Sequence, residues 1–161
     1  MILSAHSNAA YINVPRARSR AGTHIMLSEN SPVPSLNGPV LTIAQIIKNV
    51  MSSAAEAELS GLFICAKSGI PLTNTLIEMG WPHPPSPVQC EKSTATGFTN
   101  KTMVNKMLKS MDMRHWWLLC RYSQENFRYY WAPGNQKLAD YSTKHHPPPL
   151  YHLTHRPTHI G

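Results

Sequence analysis

Val50-Met51-Ser52-Ser53-Ala54-Ala55-Glu56-Ala57-Glu58-Leu59 is the stretch around which the rest of the chain can be ordered. Ser53 followed three residues later by Glu56 has the form of a capping box. In that motif the serine hydroxyl and the glutamate carboxylate satisfy amide donors left open at a helix start. From there Ala55, Leu59, Leu62, Phe63 and Ala66 recur at helical spacing. They form one apolar stripe and predict a helix over residues 53–67.

Working outward, residues 1–7, 21–28 and 38–43 read as three strands. Asn37-Gly38 is a turn signal before the third, and the three together predict an antiparallel meander. Downstream, Pro71 separates a second helical piece at residues 72–79. Val88-Gln89-Cys90 reads as a short buried strand ending at Glu91. Met111, His115, Leu118, Leu119 and Tyr122 fit a helix over residues 109–122. Phe127, Tyr129 and Trp131 alternate with Arg128 and Tyr130 as a strand does, and residues 137–144 form a short last helix. The order β-β-β-α-(α)-β-α-β-α is that of a mixed α/β domain. Prolines cluster at 32–39, 82–87 and 147–157, marking loops and a tail. The chain therefore divides into one domain, residues 1–144, and a Pro/His-rich disordered tail, residues 145–161.

Lys and Arg number 15 against 8 Asp and Glu, a formal charge of +7, which favours a polyanionic partner such as nucleic acid. No run approaches the ~18 apolar residues of a membrane span. The N-terminus lacks the basic and apolar segments of a secretion signal. Cys65, Cys90 and Cys120 are far apart and odd in number, and no Cys-x-x-Cys pair exists. A reducing, intracellular setting, cytoplasmic or nuclear, is the simpler reading.

With carboxylates scarce, Glu58 beside its helix stripe, Glu91 after a buried strand and Asp140 in the last helix stand out. Carboxylates brought from separate elements can hold a hard cation such as Mg²⁺. Each also has a plainer role: Asp140 at the positive end of a helix dipole, Glu58 on a solvated helix face, Glu91 in a loop.

Six segments, taken in order, bear a resemblance that bears on this choice. Ser7-Asn8-Ala9-Ala10-Tyr11 resembles the opening strand of copia-type retrotransposon ribonuclease H domains, where the motif runs Ser-Asp-Ala-Asp-Trp. Arg18-Ser19-Arg20-Ala21-Gly22 is similar to their turn into the second strand. The helix start around Glu56 and Glu58 resembles their Ser-Ser-Thr-Glu-Ala-Glu-Tyr. Gln89-Cys90-Glu91-Lys92-Ser93-Thr94-Ala95 resembles Cys-Asp-Asn-x-x-Ala, and Lys109-Ser110-Met111-Asp112-Met113-Arg114 resembles Lys-His-Ile-Asp-Ile-Arg. Leu138-Ala139-Asp140-Tyr141-Ser142-Thr143-Lys144 is similar to their closing Leu-Ala-Asp-x-x-Thr-Lys.

The resemblance implies a ribonuclease H-like fold, a mixed five-stranded sheet with flanking helices. It implies cleavage of the RNA strand of RNA–DNA hybrids by two Mg²⁺ ions held on an Asp-Glu-Asp-Asp set. By motif that set falls on Asn8, Glu58, Glu91 and Asp140, with Glu58, Glu91 and Asp140 as the metal ligands. The capping box already accounts for Glu56, which favours Glu58. Family membership also implies a polyprotein with a reverse transcriptase as context.

Two positions depart from the pattern. Asn8 puts a neutral amide where an anionic ligand is implied, and Glu91 keeps the charge but adds a methylene. A displacement of ~1 Å can cost ~10²-fold in rate. The expectation is an impaired nuclease. The alternatives are a working Mg²⁺-dependent hybrid ribonuclease and a basic nucleic-acid-binding module without chemistry.

Arg16, Arg18 and Arg20 form one basic cluster; Lys92, Lys101, Lys106, Lys109, Arg114 and Arg121 form another with only Asp112 among them. Arg16, Arg18, Arg20, Lys106, Lys109 and Arg114 are the candidate phosphate contacts. Trp116, Trp117, Tyr129, Tyr130 and Trp131 are expected in the core, with base stacking the other use. His152, His155 and His159 have a metal-ligand spacing, but prolines interrupt the tail and an unstructured end is expected.

Overall fold

The computed structural model describes residues 1–99, 112–133 and 137–143. The elements run β1 (Ile2–Val14), β2 (Arg18–Ser28), β3 (Pro39–Ile46), α1 (Ala54–Glu78), β4 (Ser86–Gln89), α2 (Lys92–Thr99), α3 (Asp112–Ser123), β5 (Phe127–Tyr130) and α4 (Ala139–Thr143). The expected tail and its histidines, together with Lys101, Lys106 and Lys109, lie outside the described residues.

The five strands lie in the order β3-β2-β1-β4-β5. The expected meander is present: β1 pairs antiparallel with β2, and β2 with β3. β4 then adds parallel to β1, and β5 parallel to β4, so the sheet is mixed. Parallel neighbours need a long crossover, which α1 supplies between β3 and β4.

Strand alternation sorts the residues between two faces. Leu3 and Ala5 of β1, Ile25 of β2, Val88 of β4, and Phe127 and Tyr129 of β5 pack with Leu59, Leu62, Cys65 and Ala66 of α1 and Leu118 of α3. That is the main core. On the other face stand Ser4, His6 and Asn8, with Gly22, His24 and Met26 opposite them. The loop after β2 covers part of this face, where the Asn37 amide reaches the Met26 sulfur at 3.3 Å.

The helix predicted to break before Pro71 does not break: α1 runs 25 residues with Pro71 inside it. An interior proline costs ~3 kcal/mol. Beyond it, however, Leu72 and Leu76 still pack on the core, as Ile70 does just before it. Gly69 meets the Phe127 ring, and burial on both sides of the proline holds the two pieces in line.

The cap also differs in detail. Ser53 Oγ accepts from the Glu56 amide at 3.2 Å, as expected. The Glu56 carboxylate turns one residue further back, to the Ser52 amide and hydroxyl, both at 2.6 Å.

β1 extends past residue 7 to Val14, with a register irregularity between Ala10 and Val14. Helix α2 was not expected, because its sequence carries no apolar stripe; Thr94 and Ala95 are nonetheless buried and anchor it. Trp131 was expected on the inner face of the last strand. It falls just past the end of β5 and is 45% exposed, with the Lys92 ammonium 5.4 Å from its ring centre. Trp116 is likewise exposed, not core. Trp117 packs edge-on against Phe63 at 5.1 Å. Among the described residues no helix is long and apolar enough to cross a membrane.

Candidate functional site

The site begins with a missing side chain. Gly22 pairs across the sheet with Asn8. A Cβ at Gly22 would lie 2.6 Å from the Ala139 carbonyl oxygen and 2.7 Å from Thr143 Cγ2. Helix α4 therefore lies flat on β2 only because position 22 is bare, and this seats Asp140 and Thr143 over Asn8.

Asn8 is buried and its amide is fully engaged there. Nδ2 donates to Asp140 Oδ1 at 2.9 Å and to Thr143 Oγ1 at 2.7 Å. The Thr143 hydroxyl gives its own hydrogen to the Asp140 main-chain carbonyl, so it accepts from Asn8. Two acceptors claim the two amide hydrogens, and that fixes which way the amide faces.

His6, two residues earlier on the same face, caps the approach to α4. The Leu138 amide donates to its Nδ1 at 3.1 Å. Burial, with His24 and Lys137 nearby, pushes the imidazole down to about 3, so it stays neutral and can accept.

Glu58 comes from the second turn of α1. Its Oε1 accepts from the Ala9 amide at 3.2 Å, one residue past Asn8. The helix can come this near because Gly61 rests against β1: a Cβ there would sit 3.1 Å from the Asn8 carbonyl.

Glu91 follows β4 and is about half exposed; its Oε1 pairs with Lys137 Nζ at 2.7 Å, while the Lys137 side chain is 6% exposed. Cys90, next to Glu91 in the chain, is buried, and burial pushes its thiol up to about 12, with Lys137, Glu58 and Glu91 also acting on it. Such a thiol is not a reactive group.

Thus Asn8 and Asp140 touch, Glu58 binds the neighbouring backbone, and Glu91 is tied by Lys137 to the segment that leads into Asp140. Sequence reading missed Lys137. Its only signal was a basic residue three positions before Asp140, in a chain poor in carboxylates.

These donors do not fit a pair of divalent cations as they stand. An N–H group already faces Asp140 Oδ1 and an ammonium already faces Glu91 Oε1, where a cation would need bare oxygen. Among the described residues no group of three or more His, Cys, Asp and Glu side chains is placed to hold a metal.

Of the candidate phosphate contacts, Arg16 is exposed at the β1–β2 turn, with φ at 66°. Arg18 and Arg20 are half-buried and alternate onto the Gly22 face of β2. Arg114 donates to Ser60 Oγ at 3.2 Å and lies 5.8 Å over the Phe63 ring.

No protein-family model matches the chain, and no curated protein does so at a significant level. Solved structures do. LC11-RNase H1 from compost, in complex with an RNA/DNA hybrid, is 10% identical with a TM-score of 0.60, over 88% of this chain and 93% of that one. The N-terminal RNase H domain of a Mycobacterium tuberculosis protein is 13% identical, TM-score 0.55, over 88% and 89%. The foamy viral protease-reverse transcriptase in complex with dsDNA is 11% identical, TM-score 0.54, over 88% and 90%. The chain has the ribonuclease H-like fold, a mixed five-stranded sheet with flanking helices.

Proposed function

We propose that this chain is the ribonuclease H-like domain of a copia-type retroelement, one that holds RNA–DNA hybrid but cleaves it poorly. In this reading it acts inside the cell, within or cut from a polyprotein that carries a reverse transcriptase. Asn8, Glu58, Glu91 and Asp140 are its catalytic positions.

The observation that carries the reading is the Asn8 amide, with both its hydrogens turned onto Asp140 and Thr143. Glu58, Glu91 and Asp140 are the residues that would hold Mg²⁺. Mg²⁺ held there would supply electrostatic stabilisation of the charge that develops in phosphoryl transfer. Here three carboxylates and the Lys137 ammonium sum to a formal −2, against −4 for four carboxylates. The attraction for two dications is correspondingly weaker, and Lys137 serves as a resident cation beside Glu91.

Hybrid binding does not depend on that balance. Arg16, Arg18, Arg20 and Arg114, with Lys106 and Lys109, supply positive charge for phosphates, which gives affinity with little sequence preference. Fluorescence anisotropy of a labelled RNA–DNA hybrid tests this. Affinity should fall steadily as salt rises, and charge reversal at Arg16, Arg18 and Arg20 together should weaken it at least ~10-fold. Absence of binding at low salt, or affinity indifferent to salt, contradicts the reading.

A further inference from the structure

Away from the Asn8 cluster, the chain has a pocket of about 470 Å³, lined by the segment from Gln45 to Asn49, by Ser60, Phe63, Ile64 and Lys67 of α1, and by Arg114 of α3. Its size lies within the ~300–1,000 Å³ range of small-molecule sites.

Helical geometry separates this pocket from the candidate catalytic centre. Ser60, Phe63, Ile64 and Lys67 are spaced as one stripe of α1. Glu58, two residues before Ser60, is turned ~200° away from it around the helix axis, toward Ala9. The two sites therefore use opposite faces of the same helix.

The lining has a one-sided charge. Lys48, Lys67 and Arg114 all contribute to it, and none of the lining residues is acidic. Among the described residues none of these three cations has an ion pair. Arg114 is nonetheless held in place: one Nη donates to Ser60 Oγ, whose residue is 1% exposed, and the guanidinium rests over Phe63. A guanidinium has five N–H donors, so this anchoring leaves others to bind an anion. The two exposed lysines add charge without a fixed geometry. Apolar Ile46, Ile47 and Ile64 complete the wall, offering a surface to the non-ionic part of a ligand.

We infer that this pocket binds a phosphate ester of nucleotide size, with Arg114 as the oriented donor and Lys48 and Lys67 as charge partners. The inference is independent of hybrid cleavage and of the Asn8 cluster.

Isothermal titration of the full chain with inorganic phosphate, AMP and a short single-stranded DNA tests it, comparing wild type with a Lys48→Glu, Lys67→Glu double variant. Both lysines are exposed, so the variant should fold, which a matching thermal melt confirms. AMP binding weakened at least ~10-fold in the double variant, about 1.4 kcal/mol per factor of ten, assigns a free nucleotide. DNA binding lost in the variant while AMP stays silent would assign these cations to the nucleic-acid phosphates already proposed for Arg114 and would overturn a separate nucleotide site. Failure of every probe to bind, or binding that the double variant leaves unchanged, overturns it.

Discussion

Asn8 and Asp140, 132 positions apart in the chain, are joined by a hydrogen bond of 2.9 Å in which the amide donates and the carboxylate accepts. A carboxylate at position 8 would offer no hydrogen and would place like charges at that distance. The pair is self-satisfied with an amide and needs a cation without one.

The Asn8→Asp chain should therefore be less stable than wild type when no divalent ion is present, by ~2–4 kcal/mol, because the site is buried and both donated hydrogens are lost. Millimolar Mg²⁺ should recover part of that loss. Thermal melts with and without Mg²⁺ check both points, and the wild-type midpoint should stay within about a degree. A wild-type midpoint that climbs with Mg²⁺ as far as that of the variant would be inconsistent with an amide that already satisfies Asp140.

Gly22→Ala tests how α4 is seated. Its methyl would fall 2.6 Å from a backbone oxygen, which cannot swing away as a side chain can. The expected cost is about 1–3 kcal/mol, as for overpacking elsewhere. Amide exchange at Asp140 and Tyr141 should rise well beyond that at Leu59 and Leu62 in the core. Uniform change across the chain, or none, would mean that α4 does not depend on the bare position.

His6 predicts a pH dependence. Its imidazole sits at about 3 in the folded chain, against an ordinary 6.5. Between those values the unfolded chain takes up a proton that the folded chain refuses, so stability rises with pH. The contribution is complete above about 6.5 and is lost as pH falls toward about 3, with a slope of up to ~1.4 kcal/mol per pH unit. His6→Asn keeps an acceptor for the Leu138 amide but does not titrate, so its stability profile should be flatter by that slope. Parallel profiles for the two chains would rule out a buried neutral imidazole.

Much of this fold is legible in the residues because local rules and tertiary packing agree. The α1 stripe, the Ser53 cap and the alternation at Phe127 and Tyr129 each carry their own signal, whereas Asn37 and Gly38 form no turn and simply lead into β3. The failures occur where tertiary contacts decide. Nothing local reveals that burial on both sides of Pro71 keeps α1 whole, or that a polar stretch after Glu91 is held helical by Thr94 and Ala95. Trp131 keeps the strand period in sequence, but hydrogen bonding stops one residue before it. At the site, motif order brought out Asn8, Glu58, Glu91 and Asp140, whereas Lys137 shows its role only through a buried ammonium meeting Glu91 in space.

Cleavage of a labelled RNA–DNA hybrid under Mg²⁺ titration, comparing wild type with an Asn8→Asp, Glu91→Asp double variant, tests the account most directly. Wild type should cleave slowly or not at all at every Mg²⁺ concentration, and the double variant should gain at least ~10²-fold. Equal turnover by the two chains would contradict it.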